Sequence, residues 1–191
     1  MSTNSIPLLK SLAPSDTDKD TTHSYLEVYQ ELLGDLYEKA KNVLEIGVQT
    51  GGSIILWRDF FKNATIFGID VGEIPEKLKN DPRMIIFRTN AYSQNFIDIN
   101  FKNEGIKFDL IIDDGPHTLE SMKFFAKYYP QLLTDQGILI IEDVQDISWC
   151  DIIKQEFPED LIKYAYVVDR RHVKNRYDDI LLILDKRKIL Q

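Results

Sequence analysis

The chain contains a single cysteine, Cys150, in 191 residues. No internal disulfide can form, and a reducing, cytoplasmic setting is expected. Cys150 lies in an apolar-aromatic stretch and reads as an inert core thiol. Long hydrophobic runs are also missing. The longest, such as Ile180-Leu181-Leu182-Ile183-Leu184, fall far short of the ~20 residues that a membrane helix needs, so no membrane span is expected. The first residues show no basic start followed by a long apolar stretch, so no secretory signal is expected. Positive charge is scarce: 23 Lys and Arg against 31 Asp and Glu leave a net charge of −8. Cationic contacts dominate binding to a nucleic-acid backbone, which argues against a nucleic-acid partner. The exception is the cluster Arg170, Arg171, His172, Lys174 and Arg176, which reads as a solvated loop or a contact to an anionic part of a substrate. Two phosphate-binding signatures, G-x-x-x-x-G-K-[ST] and G-x-G-x-x-G, are absent as well.

What remains is ordinary globular composition, 43% hydrophobic and 28% charged. A chain of this size buries roughly 70% of its unfolded surface and needs no staples. Residues 1–20 are rich in Ser, Thr, Asp and Pro and are expected to form an irregular arm, with 21–191 as a single domain. From 22 to 40, Tyr25, Val28, Tyr29, Leu32, Leu33, Leu36 and Tyr37 recur at three and four, which predicts an amphipathic helix. Seven short apolar segments follow, at 42–47, 65–70, 83–89, 108–113, 137–142, 162–168 and 179–184. Helical patterns at 53–62, 95–103, 118–133 and 147–157 lie between them. The segments are apolar throughout and do not alternate, as strands buried on both faces are. Strand–helix alternation predicts a doubly wound, mostly parallel α/β sheet with helices on both faces. The last two strands, joined by a polar loop without a helix, are expected to be antiparallel.

Ligands in such sheets sit beyond the carboxyl ends of the strands. The polar residues ending the runs are Glu45 to Gly47, Asp70, Asn90, Asp113 to His117, and Glu142 with Asp143. The first strand enters Glu45-Ile46-Gly47-Val48-Gln49-Thr50-Gly51-Gly52-Ser53, whose glycines permit a tight turn and close ligand approach. Asp70 follows Gly51 by nineteen residues and is placed to accept hydrogen bonds from ribose hydroxyls. Together they point to a nucleoside ligand. V-L-E-I-G-V-x-x-G-G-S followed by I-F-G-I-D resembles the first two motifs of the class I S-adenosylmethionine-dependent methyltransferases. That resemblance covers about residues 17–186 and implies seven strands in the order 3-2-1-4-5-7-6, the last antiparallel. It also implies S-adenosylmethionine contacts from Glu45, Gly47, Gly51, Ser53, Asp70, Asn90 and Asp113, with the glycine loop at the methionine end and Asn90 near the adenine.

The fourth strand ends in Asp113-Asp114-Gly115-Pro116-His117 and the fifth in Glu142-Asp143. Neighbouring strands lie about 4.8 Å apart, so Asp114, Glu142 and Asp143 are expected to converge. Three crowded carboxylates repel one another unless some are protonated or a cation holds them. Hard oxygen donors favour Mg²⁺, Mn²⁺ or Ca²⁺ over Zn²⁺. Imidazole titrates near neutrality, which makes His117 a candidate general base. D-D-G-x-H and E-D at these strand ends resemble the metal-dependent sugar O-methyltransferases that act on macrolide sugars and rhamnosyl groups. The resemblance places metal ligands, Mg²⁺ or Mn²⁺, on Asp114, Glu142 and Asp143 and the base on His117, and it implies a sugar or glycan acceptor. Thr17-Asp18-Lys19 with His23 and Tyr25 is similar to a stretch that lies close to the active site in that branch, and Asn175-Arg176-Tyr177-Asp178-Asp179 resembles its final hairpin. A homodimer is compatible with the resemblance, although the extra domain that some members use for assembly is not expected. Two other readings stay open: a catechol-type metal-dependent methyltransferase, which needs a hydrophobic clamp for its acceptor, and a non-catalytic nucleoside-binding domain.

Overall fold

The computed structural model describes residues 6–14 and 16–188. The expected arm and domain therefore include positions, 1–5, 15 and 189–191, that lie outside the described residues. Seven strands form one sheet: β1 (Asn42–Ile46), β2 (Thr65–Asp70), β3 (Met84–Arg88), β4 (Phe108–Asp113), β5 (Leu133–Ile141), β6 (Ala165–Asp169) and β7 (Ile180–Asp185). Their order is β3-β2-β1-β4-β5-β7-β6, as the resemblance implies. β1 pairs in parallel with β2 and β4, β2 with β3, and β4 with β5. β7 runs antiparallel to both of its neighbours. β5 starts four residues earlier than its apolar run indicates, because an irregular register lets Leu133 pair with Phe108 before the ladder resumes at Leu110 and Ile138.

Successive strand side chains point to opposite faces, and both faces are covered. Val43, Ile66, Leu110 and Ile140 face a core built with α1 (Leu9–Leu12), α3 (Leu26–Leu33) and α4 (Gly52–Phe60), where Trp57 and Phe60 are fully buried. Leu44, Phe67, Ile111 and Leu139 face a second core with α5 (Gln94–Ile97), α6 (Leu119–Tyr128) and α7 (Trp149–Lys154), centred on Phe101 and Phe125. Cys150 lies in that second core, where burial pushes its thiol up to about 11.

The amino-terminal stretch departs from its composition. It carries α1 and a further one-turn helix, α2 (Asp18–Thr21). The helix expected over 22–40 is shorter, α3 followed by a tighter turn at Gly34–Leu36. Residues 22–25 stay out of the helix, and three of them turn buried polar groups towards the carboxyl edge of the sheet: His23, Ser24 and Tyr25. The β6–β7 connection, expected to lack helix, holds one turn, α8 (Arg171–Lys174), ended by Asn175 in the left-handed region.

Candidate active site

Gly47, directly after β1, has φ +91°, and a Cβ there would lie 1.9 Å from the Asp114 carbonyl oxygen. Only glycine lets these two strand ends meet so closely. A cavity of about 460 Å³ opens at this edge, walled by Gly47, Gln49, Asp70, Asn90, Tyr92 and Asp114 among others. Asp70 ties the loop down: its Oδ2 accepts from the amides of Val48 (2.7 Å) and Gln49 (2.8 Å), and its Oδ1 from Gly72 (2.8 Å). Partial burial works against ionisation of Asp70, but the amide bonds together outweigh it and hold the carboxyl below its ordinary range.

Four of the residues expected at the cofactor lie behind that wall. Gly51, at φ +83°, caps α4 and packs against Leu78, and Ser53 is buried in the first turn of α4. Glu45 is fully buried and accepts from Trp57 Nε1 at 3.1 Å. Asp113 is sealed under Tyr92, whose hydroxyl donates to Oδ1 at 2.5 Å, and burial pushes its carboxyl up to about 7. Gly115 has no room for a side chain between Tyr92 and Asp113.

The carboxylates after β4 and β5 gather in two sets, not one. In the first, Glu45, Asp114 and Glu142 surround the ammonium of Lys19. Its Nζ lies 3.1 Å from Glu45 Oε1, 2.9 Å from Asp114 Oδ2 and 2.8 Å from both oxygens of Glu142. Tyr29 donates its hydroxyl to Glu142 Oε1 as well. Burial opposes the charge on Lys19, but Asp114, Glu142 and Glu45 outweigh it and hold the ammonium well above its ordinary range. Burial, with the neighbouring acids, pushes Glu142 up against the pull of Lys19.

The second set is Asp114, His117 and Asp143, whose ligand atoms lie within 4.8 Å of one another. His117 Nε2 is 3.8 Å from Asp114 Oδ1 and 3.7 Å from Asp143 Oδ2, too far for hydrogen bonds. Its ring is partly exposed, while its buried Nδ1 has no hydrogen-bond partner among the described residues. Asp143 Oδ1 points away from this set, accepting from Tyr25 (2.6 Å) and lying 3.2 Å from His23 Nδ1. Burial, above all, pushes the Asp143 carboxyl up. Both His117 (φ +53°) and Asp143 (φ +54°) occupy the left-handed region that side chains rarely adopt. Thr118 and Ser121 form a reciprocal cap that starts α6 immediately after His117.

The expected trio Asp114, Glu142 and Asp143 is therefore divided. Asp114 belongs to both sets, Glu142 only to the lysine set and Asp143 only to the histidine set. The donors of the open set suit a hard divalent ion: two carboxylate oxygens, with space on the exposed side for water or hydroxyl ligands, a pattern common for Mg²⁺. Sequence reasoning assigned no role to Lys19, Tyr25, Tyr29, His23, Tyr92 or Asp179. The signals were the likeness of Thr17-Asp18-Lys19, His23 and Tyr25 to a stretch near an active site and of the run ending in Asp179 to a final hairpin, since nothing in their local spacing shows which groups they meet.

A sheet in this order, with a cavity at the ends of its first four strands, defines a methyltransferase-type α/β fold. Residues 26–176 match the FtsJ-like methyltransferase family, and the chain belongs to it. Two curated relatives are 8-demethyl-8-alpha-L-rhamnosyl tetracenomycin-C 2'-O-methyltransferase of Streptomyces olivaceus and mycinamicin VI 2''-O-methyltransferase of Micromonospora griseorubida. The first is 26% identical and the second 29%, matching 70% and 72% of this chain. The chain spans 36% of the length of each, about a third. Among solved structures, MycE methyltransferase of the mycinamycin biosynthetic pathway, in complex with Mg and SAH, aligns with a TM-score of 0.72. It is 20% identical, and the alignment covers 94% of this chain and 54% of that one. The apo structure of CalS11, a TDP-rhamnose 3'-O-methyltransferase, aligns over 93% of this chain and 90% of its own, with a TM-score of 0.58 and 14% identity. Among the described residues, no helix is long and apolar enough to cross a membrane.

Proposed function

We propose that the protein is an S-adenosylmethionine-dependent O-methyltransferase that transfers a methyl group to a sugar hydroxyl with the help of a divalent ion. One observation carries the reading: the cavity walled by Gly47, Asp70 and Asn90 continues to Asp114, where the open set with His117 and Asp143 begins. The sugar O-methyltransferases among the curated relatives support the acceptor class, and the net charge of −8 supports a non-nucleic-acid partner.

When bound, S-adenosylmethionine supplies an electrophilic methyl carbon, and a divalent ion lowers the pKa of a hydroxyl that coordinates it. Asp70 would bind the ribose hydroxyls and Asn90 would lie beside the adenine. Gly47 leaves space for the methionine end, with Glu45 and Ser53 supporting the loop from beneath. Asp114 and Asp143 would hold the ion, as two carboxylates do in many Mg²⁺ sites. His117 Nε2 would take the proton from the acceptor hydroxyl as that oxygen is methylated. Such base catalysis contributes roughly 10²–10⁴-fold.

The test is transfer of a labelled methyl group to a deoxysugar glycoside, run beside a catechol. Transfer to the glycoside, abolished by EDTA and restored by Mg²⁺, is the expected result. Exclusive catechol methylation would replace the acceptor class, and undiminished activity in EDTA would remove the ion.

A further inference from the structure

Among the described residues, Lys19 is the one lysine or arginine set among Glu45, Asp114 and Glu142. Its ammonium donates to Asp114 and to both oxygens of Glu142 and lies 3.1 Å from Glu45 Oε1, and its side chain is fully buried. The chain carrying it is pinned on every side. A Cβ on Gly52 would come within 2.8 Å of the Asp16 carbonyl and the Thr17 amide, so that the segment lies directly on the start of α4. Thr17 is buried before Lys19, and His23 and Ser24 are buried after it. His23 Nδ1 reaches Asp179 Oδ1 at 2.9 Å, and Ser24 Oγ donates to Asp179 Oδ2 at 2.7 Å. Tyr29 holds Glu142 from the far side. Withdrawing the lysine would leave three carboxylates crowded and unpaired and would undo these contacts together.

We propose that Lys19 is a resident cation of the active site, a positioning residue that fills the place of a metal among Glu45, Asp114 and Glu142 and leaves a single divalent ion to Asp114 and Asp143, beside His117. By binding Asp114 Oδ2, the ammonium turns Oδ1 towards His117. By engaging both oxygens of Glu142, it removes that residue from the ligands of the ion. Asp114 thus bridges a fixed monovalent charge and an exchangeable divalent one. The inference rests on the divalent-ion reading above and goes beyond it by stating which carboxylates take part.

The test measures Mn²⁺ binding by calorimetry and by the loss of free-ion electron paramagnetic resonance signal, without cofactor or acceptor. The wild-type protein is expected to bind one Mn²⁺. Glu142→Gln keeps that affinity within about threefold, while Asp143→Asn weakens it by at least the roughly 10–100-fold that loss of an outer-shell partner costs. Lys19→Met, which keeps the length of the chain and drops the charge, gains a second Mn²⁺ site and rises in melting temperature when Mn²⁺ is added. If Glu142→Gln loses Mn²⁺ as fully as Asp143→Asn, the lysine assignment falls and the ion reading stands. If the wild type binds no ion and Lys19→Met binds one, the lysine assignment stands and the ion reading falls. No binding to the wild type or to folded Lys19→Met overturns both. Should Lys19→Met fail to fold, the comparison of Glu142→Gln with Asp143→Asn decides the question alone.

Discussion

The two halves of the carboxyl edge are built from different materials. On the β1–β3 side, the cavity is shaped by backbone: a glycine at positive φ, and Asp70 held ionised by three amide donors. On the β4–β5 side, the site is a mass of buried side-chain charge, with Asp113, Glu142 and Asp143 all pushed up by burial and a lysine set among the acids. A nucleoside presents hydroxyls and ring nitrogens that a fixed backbone can meet. Activation of a hydroxyl demands charge and a proton acceptor, and these are stable in a protein interior only when other charges surround them.

The largest effect that would break this contrast belongs to the β4–β5 side. His117→Ala is expected to lower turnover roughly 10²–10⁴-fold while affinity for S-adenosylhomocysteine, read by calorimetry, changes no more than about twofold. An equal loss in both would make His117 a structural residue and the two halves one unit. Next comes Lys19 as a stability element. Removing one partner from a buried ion pair costs about 3–5 kcal/mol, so Lys19→Met without divalent ions should unfold at much lower urea than wild type. A cost under about 1 kcal/mol would mean that the acids share protons and need no ammonium.

The β1–β3 side gives the complementary result. Asp70→Ala removes the acceptor of Val48, Gln49 and Gly72 and is expected to weaken S-adenosylhomocysteine binding by about 1.5–3 kcal/mol, the range for hydrogen bonds to a charged group. Turnover at saturating cofactor should fall far less than in His117→Ala. The reverse pattern, intact binding with lost turnover, would show that the glycine loop positions the chemistry instead of the nucleoside.

The same division decided how much the sequence could reveal. The sheet was legible because strands buried on both faces leave unbroken apolar runs, and each run of four to six such residues marks a strand. Gly47, Asp70 and Asn90 were legible because each sits at the end of its own run. The acids at 113, 114, 142 and 143 could be read as a group, since β4 and β5 are neighbours, but not divided between two sets. That division depends on Lys19, Tyr25 and Tyr29, which reach the cluster across more than ninety residues of chain. A lysine in a Ser-, Thr- and Asp-rich segment looks solvated, and only the tertiary fold buries it. Glu45 and Asp113 show the complementary case: each ends or nearly ends a strand, and only the tertiary fold shows that its side chain is buried under the cavity wall.

The opposite edge of the sheet offers the smallest and cleanest check. Because β7 runs antiparallel, its terminal Asp185 lies away from the cavity, where Arg187 Nε and Nη2 bind its two oxygens at 2.8 Å. Burial opposes ionisation there, but the Arg187 guanidinium and the backbone amide of Arg187 outweigh it and hold the carboxyl below its ordinary range. A carboxyl with a depressed folded-state pKa adds stability that is present above its unfolded value, near pH 4, and is lost as pH falls through the folded value. Asp185→Asn should therefore cost about 1 kcal/mol at pH 7, with the gap from wild type closing below about pH 4. Asp143, raised by burial, follows the opposite sign: its contribution is complete below about pH 4 and is lost as pH rises through its folded value. Metal-free Asp143→Asn should draw level with or exceed the wild type as pH climbs towards 7, in urea titrations at successive pH values. If both substitutions tracked pH in the same direction, the charge at the β4–β5 edge would be ordinary surface charge, and a site that holds its acids against burial would have no basis.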